Sequence, residues 1–133
     1  ETNFVDVVRE VTNGEGCAVV YEAIGKDTIQ ASLDSLRPMG VCAAYGHVSG
    51  PPDPVDIIQD LGRRGSLFIT RPAIMHYVAK RSDLEWTARD LFKAISDGIL
   101  EANINYEYAL KDAVKAHEAI ESGKTLGATV LVP

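Results

Sequence analysis

Three short apolar segments, separated by helix-like stretches, constrain the fold of this chain more than any other feature. They are centred on residues 18–20, 41–44 and 66–70, and none contains a charged residue. Continuous apolar segments of this kind are typical of parallel strands, which helices cover on both faces. Strands that alternate with helices form right-handed crossovers in one sheet. The pattern predicts an α/β fold with a parallel sheet in which residues 18–20 are buried on both faces.

The intervening helices are indicated by apolar residues that recur every three or four positions and so share one helix face. We expect the first helix to end at Asn13 and Gly14. The second ends near Pro38, because proline disfavours a helical conformation in the residue before it. Asp53 is the predicted N-cap of the third helix, and Pro54 lies in its first turn. The predicted apolar faces are, in chain order, Phe4, Val7, Val8 and Val11, then Ile29, Leu33 and Leu36, then Ile57, Ile58 and Leu61.

The sequence pattern of the second half of the chain predicts a helix, an extended segment, another helix and a strand. The residues from Ser82 to Glu85 match a capping box, in which Ser and Glu side chains satisfy N–H groups at a helix start. This helix ends at Gly98, and the final strand covers residues 127–133. His117 lies among apolar residues of the later helix, so we expect it in the core. The two apolar faces consist of Leu84, Ala88, Leu91, Phe92 and Ile95, and of Leu110, Ala113, Val114, His117 and Ile120.

The chain begins at Glu1, directly before a helix, without an initiator methionine or a preceding strand. We therefore expect a fragment of a longer protein. Gly14 and Gly16 have the spacing of two glycines in a dinucleotide-binding loop. They precede a strand, however, whereas such a loop follows a strand and opens a helix. We interpret both as turn residues and expect the pyrophosphate loop of any dinucleotide domain to lie before Glu1.

Composition argues against several classes of partner and site. The formal net charge of −6 disfavours nucleic acid and anionic membranes, because both bind basic surfaces. No apolar run reaches the roughly 18 residues of a membrane span, and no leader-like segment opens the chain, so we expect a cytoplasmic protein.

Cys17 and Cys42 have no Cys or His at metal-ligand spacing. We interpret them as buried thiols and expect no metal site.

Two stretches follow predicted strands, which is where ligands bind in open α/β sheets. The first, YGHVSG at residues 45–50, contains His47, which is either a ligand contact or a solvated turn residue. The second, TRP at residues 70–72, contains Arg71, which either faces a ligand or closes an edge strand with its charge. Spacing leaves both questions open. No catalytic residue is assigned, because no triad, carboxylate pair or Cys/His cluster is recognisable.

Three ordered blocks of the sequence resemble a known family. They are VVYEAIGKDTIQASLDSLRPMGVCAAYGHVSGPP, GSLFITRPAI and YALKDAVKAHEAIESGKTLGATVLVP. The chain is similar to the C-terminal half of NADPH:quinone oxidoreductases, the zeta-crystallin-like branch of the medium-chain dehydrogenase/reductase superfamily. The resemblance implies a fragment of a two-domain protein. Residues 1–101 would form the second half of a Rossmann-type parallel sheet with flanking helices, and residues 102–133 a C-terminal segment that returns to a GroES-like catalytic domain.

The resemblance also implies a set of cofactor contacts at the ends of the strands. The segment after the first strand passes under the nicotinamide. The loop after the second lines the ribose and diphosphate, with a close approach of backbone to ligand at Gly46. The stretch after the third meets the nicotinamide carboxamide, and a basic residue lies near the cofactor. The implied NADPH-binding residues are Ile24, Tyr45, Gly46, His47, Val48, Thr70, Arg71, Pro72 and Lys124.

The activity implied by the resemblance is hydride transfer from NADPH to a quinone or enone without zinc, mainly through orientation of cofactor and acceptor. The chain alone is expected to be inactive. Members of the family form homodimers through the edge strand, here Ser66 to Thr70, which pairs with its symmetry mate. Two other hypotheses about function remain. One is an enoyl reductase module of a polyketide or fatty-acid synthase, which shares this hydride-transfer chemistry, and the other is a non-catalytic scaffold that binds nucleotide or dimerises.

Overall fold

The structure is a computed structural model that describes residues 3–133. The chain divides into two compact units, Glu1–Tyr77 and Val78–Pro133. The domain boundary expected between residues 101 and 102 concerns the architecture of the whole protein and stays a prediction.

The first unit contains a three-stranded parallel sheet in the order β1-β2-β3. Helices connect successive strands, so the predicted parallel α/β fold is confirmed. Its elements are α1 (Phe4–Val11), β1 (Cys17–Glu22), α2 (Ile29–Asp34), β2 (Leu36–Ala44), a π-helical turn (Ile57–Gly62), β3 (Phe68–Thr70) and α3 (Ile74–Tyr77).

The core of this unit lies between the sheet and α2. The side chains of Val20 in β1 and Ile69 in β3 flank Cys42 in the middle strand, because all three lie in one register row. The row packs against the apolar face of α2. The buried cluster consists of Ile29, Leu33, Leu36, Cys42 and Leu67.

The opposite face of β1 is exposed in this unit. Side chains alternate between the two faces of a strand, and Tyr21 is 76% exposed whereas its neighbour Glu22 is buried. The prediction that residues 18–20 are buried on both faces is therefore wrong. The reason is that α1 and α2 pack against each other, and only the face that α2 covers is shielded.

Two helix boundaries also differ from the prediction. Helix α2 ends at Asp34, because the chain turns at Ser35, whose hydroxyl donates to the Ala31 carbonyl (2.9 Å); Leu36 is already in β2. Asp53 is not a cap. The Asp56 carboxylate accepts N–H groups from Ile58 (2.7 Å) and Gln59 (2.8 Å) and starts the π-helical turn instead. Of the three apolar residues predicted for that helix, Ile57 and Ile58 are exposed and Leu61 packs on the core.

The second unit has the predicted order of helix, extended segment, helix and strand. The strands β4 and β5 pair in parallel, and the helix between them packs on both. No helix within residues 3–133 is long and apolar enough to cross a membrane. The elements are α4 (Arg81–Ser96), β4 (Ile104–Ala109), a 3-10 turn (Leu110–Asp112), α5 (Ala113–Glu121) and β5 (Ala128–Val132).

Two details of this unit contradict the sequence interpretation. Ser82 does not cap α4: its hydroxyl lies 3.3 Å from the Asp83 carboxylate, and the N-cap position is taken by Lys80 without a side-chain hydrogen bond. His117 is exposed, and the buried residue beside it is Ala116.

Gly14 and Gly16 are turn residues, as predicted, with φ of 85° and 86°. At Gly14, an added Cβ atom would meet no atom within 4 Å. At Gly16, it would lie 2.8 Å from the Leu36 carbonyl carbon and from the Ser35 carbonyl oxygen. An alanine would therefore have a strained backbone at both positions, but only at Gly16 would its Cβ atom also clash with neighbouring backbone atoms.

We predict that Gly14→Ala lowers the free energy of unfolding by about 1–2 kcal/mol, the cost of a left-handed alanine. Gly16→Ala is expected to cost about 2 kcal/mol more, because the backbone of residues 35–37 must shift. Urea denaturation of both variants measures the difference. Equal losses would contradict the packing of Gly16 against the start of β2.

Candidate functional site

The carboxyl ends of β1, β2 and β3 meet at one edge of the sheet. Glu22 pairs with Ala44, and Ala43 pairs with Thr70 in the parallel register. We call this region the strand-end edge and define it as residues 22–28, 44–50 and 70–72. The structure brings eight of the nine predicted cofactor contacts to this edge: Ile24, Tyr45, Gly46, His47, Val48, Thr70, Arg71 and Pro72.

A buried carboxylate organises the first part of the strand-end edge. Glu22 is 3% exposed. Its Oε1 atom accepts the N–H groups of Ile24 (2.6 Å) and Gly25 (3.0 Å). The Thr28 hydroxyl donates to both carboxylate oxygens (2.9 and 3.0 Å), and the Ser32 hydroxyl donates to Oε2. The turn after β1 and the start of α2 are thus bound to one charged group.

The hydrogen bonds around Glu22 also set its ionisation. Burial by itself raises the pKa of a carboxyl group. The donors that face the ionised form outweigh burial, so the pKa of Glu22 lies below its usual value. The donors are, in order of their effect, the Ser32 hydroxyl, the Gly25 and Ile24 amides, and the Thr28 hydroxyl.

The turn after β1 is joined to the loop after β2 by backbone hydrogen bonds. The Glu22 carbonyl accepts the N–H groups of Tyr45 (2.9 Å) and Gly46 (3.3 Å), and the Ala23 carbonyl accepts that of Val48 (3.2 Å). A Cβ atom on Gly46 would lie 2.9 Å from the Ala23 Cα atom. The close approach that requires glycine here is therefore to the neighbouring strand end. A contact of Gly46 with ligand stays a prediction.

Arg71 connects the third strand end to the second. Its Nη1 atom donates to the Tyr45 carbonyl (2.7 Å) and to the Pro72 carbonyl (3.1 Å). The guanidinium lies beside an open cavity of about 270 Å³. The cavity is lined by Thr70, Arg71, Pro72, Ala73, His76 and Tyr77.

The remaining candidate residues differ in their surroundings. Ile24, Tyr45, His47 and Val48 are exposed at the strand-end edge, and both roles considered for His47, ligand contact and solvated turn residue, remain open. Lys124 belongs to the second unit, in the turn between α5 and β5, where its backbone N–H lies 3.4 Å from the Ser122 hydroxyl.

Sequence reasoning missed Glu22. The signal that could have found it is a single acidic residue at the end of an apolar strand, followed by Thr28 and Ser32 four residues apart. Hydroxyl groups at this spacing lie on one face of a helix. Such a pattern indicates a carboxylate that is satisfied by the next helix.

Cys42 is buried and its thiol is free, as predicted, whereas Cys17 is only half-buried. Burial and the negative charge of Glu22 raise the pKa of the Cys42 thiol to about 11. Within residues 3–133, no group of three His, Cys, Asp or Glu side chains lies close enough to hold a metal ion.

Known proteins resemble this chain over almost its whole length. A family model described as zinc-binding dehydrogenase matches residues 1–131. A 2-haloacrylate reductase from Burkholderia sp. is 50% identical over 131 residues, which are 98% of this chain and 39% of that protein. A quinone oxidoreductase from Salmonella typhimurium is 40% identical over 100% of this chain and 41% of that protein.

Solved structures share the fold over the same region. A crystal structure of Escherichia coli quinone oxidoreductase complexed with NADPH has a TM-score of 0.91 and 36% identity, over 100% of this chain and 41% of that one. A crystal structure of 2-haloacrylate reductase has a TM-score of 0.90 and 49% identity, over 99% and 41%. The chain thus spans about two fifths of the length of the relatives it matches.

We predict that Glu22 contributes stability that is lost in acid. Its folded pKa is lowered, so the contribution is complete above the unfolded pKa of about 4.3 and disappears as the pH falls through the folded value. Glu22→Gln is therefore expected to be less stable than the wild type near neutral pH, and the gap should narrow below about pH 4.

Urea denaturation across this pH range measures the gap. Glu10→Gln, at an exposed position of α1, is the control for loss of one negative charge. A gap between Glu22→Gln and wild type that is the same in acid and at neutral pH would contradict the assignment.

Proposed function

The chain belongs to the zinc-binding dehydrogenase family of the medium-chain dehydrogenase/reductase superfamily, and we propose that it is the cofactor-binding part of an oxidoreductase that transfers a hydride from NADPH to a quinone. The observation that carries this proposal is the convergence of three strand ends, with exposed side chains, at one edge of a parallel sheet. Ligands bind at this edge in open α/β sheets. Relatives over the same region include a quinone oxidoreductase complexed with NADPH.

The side chains at the strand-end edge fit the nicotinamide end of such a cofactor. Ile24 and Val48 offer exposed apolar surface for a planar ring, and Tyr45 and Arg71 offer hydrogen-bond donors for a carboxamide and a ribose. Arg71 uses Nη1 for two backbone carbonyls and has further N–H groups. NADPH would be held by Ile24, Tyr45, Gly46, His47, Val48, Thr70, Arg71 and Pro72; Lys124 of the second unit stays a predicted contact.

When bound, NADPH supplies the hydride, and the residues of this chain bind and orient it. Rigid positioning of two reactants is a large part of the rate enhancement in such transfers. The strand-end edge provides this rigidity through Glu22 and through the bond between Arg71 and the Tyr45 carbonyl. We assign no catalytic residue to this chain. The resemblance to quinone reductases supports a reaction without zinc.

A second candidate activity is the reduction of a 2-haloacrylate. It is favoured by the 50% identity to a 2-haloacrylate reductase. Both acceptors are conjugated electrophiles that take a hydride, but a haloacrylate carries a carboxylate and a benzoquinone is neutral. An enoyl reductase module and a non-catalytic scaffold also stay open.

The free thiols of Cys17 and Cys42 support a reducing compartment such as the cytoplasm.

We predict that the full-length protein binds NADPH and oxidises it in the presence of 1,4-benzoquinone. Nucleotide fluorescence measures the dissociation constant, and absorbance at the NADPH band measures turnover with benzoquinone or 2-chloroacrylate. Faster turnover of 2-chloroacrylate would select the second activity. Absence of saturable binding would favour a scaffold that dimerises, and saturable binding without turnover would favour one that binds nucleotide.

Arg71→Ala should raise the dissociation constant for NADPH about tenfold, which corresponds to the loss of one charge-assisted hydrogen bond. Arg63→Ala, an exposed arginine before β3, is the matched control and should leave the constant unchanged. An equal effect of both substitutions would contradict a specific role for Arg71.

We also propose a homodimer through the edge strand predicted from Ser66 to Thr70. In the structure, β3 covers Phe68–Thr70, because Ser66 has a left-handed φ of 58° and lies before the strand. The strand lies at the edge of the sheet, and Phe68 is 60% exposed. Pairing with a two-fold mate would satisfy its outer backbone groups.

We predict a dimeric mass in light scattering at micromolar concentration. Phe68→Lys should shift the mass towards a monomer, because lysine on an edge strand opposes strand pairing. Met39→Lys places the same charge at an exposed position of β2 and should stay dimeric. A monomeric wild type would contradict the proposed interface.

A further inference from the structure

We propose that Glu22 is a positioning residue for the nucleotide: it holds the turn after β1 and the loop after β2 in their binding arrangement before the ligand arrives. The inference rests on the proposed function. It follows from the position of the carboxylate, which is buried within the strand-end edge and accepts the backbone N–H groups of the predicted nicotinamide contact Ile24 and of the residue that follows it.

The first step of the argument is that Glu22 fixes the turn. Two consecutive amides, those of Ile24 and Gly25, donate to one carboxylate oxygen. The turn has little freedom in that arrangement, because the directions of two successive N–H groups are defined at once. Ile24 is therefore held in place through its own backbone.

The second step is that the turn fixes the neighbouring loop. Gly25 has a φ of 95°, and a Cβ atom there would lie 2.6 Å from the Gly50 carbonyl oxygen and 2.9 Å from the His47 Cα atom. The Ile24 carbonyl accepts both the N–H and the hydroxyl of Ser49, each at 2.8 Å. A displacement of the turn would therefore move the loop that carries His47 and Val48.

The third step is that Glu22 acts only through other residues. It is buried, and among residues 3–133 its carboxylate accepts hydrogen bonds from four N–H and hydroxyl groups, none of them of a lysine or arginine. Together these donors form hydrogen bonds with both carboxylate oxygens. The carboxylate is not available to a ligand, so it cannot be a catalytic residue in the sense of touching the reacting atoms.

This role predicts that loss of the carboxylate weakens NADPH binding but leaves kcat almost unchanged. If loss of the carboxylate lowers the fraction of molecules with a competent edge to about one tenth, the apparent dissociation constant for NADPH rises about tenfold. Once NADPH is bound, the arrangement is restored, so kcat should stay within about twofold of the wild type.

The test uses the full-length protein, with NADPH as the probe. Glu22→Gln removes the charge and keeps the shape. Thr28→Val removes only a hydroxyl donor, and Thr28→Ser keeps the donor, so this pair separates the hydrogen bond from packing. Leu67→Ala, in the core just before β3 and outside α2, is the control for loss of stability without loss of a hydrogen bond to Glu22.

We expect Glu22→Gln to raise the dissociation constant and the KM for NADPH about tenfold, and Thr28→Val to raise them about threefold. Thr28→Ser and Leu67→Ala should leave both constants near the wild-type values, although Leu67→Ala lowers the melting temperature. Unchanged NADPH constants in Glu22→Gln and Thr28→Val, together with lowered melting temperatures, would overturn the proposal.

Amide hydrogen exchange without ligand separates this inference from the proposed function. In Glu22→Gln, exchange should accelerate at Ile24, Gly25, Tyr45 and Gly46 more than at the centre of β2. A wild type that does not bind NADPH would refute the proposed function. Uniform acceleration across the unit, or none at these amides, would refute the positioning role even if NADPH binds.

Discussion

A carboxylate that is removed from water must find its hydrogen bonds within the protein, since an uncompensated buried charge costs several kcal/mol. At the end of β1, this condition determines the local structure. The turn directs two amides inwards, and α2 begins where Thr28 and Ser32 can reach the two oxygens of Glu22. The carbonyl group of the same residue receives the first amides of the loop after β2. One residue thus connects a strand, a turn, a helix and a second loop.

The hydrophobic core supports this arrangement from the same side of the sheet. Leu33 and Leu36 pack between α2 and the sheet, next to the strand residue Cys42. Because α2 is anchored by its apolar face, the hydroxyl of Ser32 is held at a fixed distance from β1. Packing and polar contacts therefore cooperate: the core sets the position of the helix, and the helix supplies donors to the carboxylate.

The sequence was sufficient to predict the parallel sheet and the position of residues 45–50 and 70–72 after its strands, because both follow from the order of apolar periodicities along the chain. Helix ends were less predictable, since Ser35 and Asp56 make local hydrogen bonds that compete with helix propensity. The burial of residues 18–20 was misjudged because it depends on which elements cover the sheet. Glu22 was missed because one of its donors, the Ser32 hydroxyl, lies ten residues away on the next helix.

The buried thiol of Cys42 has a consequence for the chemistry proposed here. Quinones and haloacrylates are electrophiles that alkylate thiolates, and the thiolate is the reactive form of cysteine. With a pKa of about 11, only about one Cys42 side chain in ten thousand is ionised near neutral pH. The side chain is also 0% exposed, although it lies in the strand that leads to Tyr45. Cys42 can thus fill the core close to the proposed site while remaining protected from covalent modification by acceptors of the kind proposed for it.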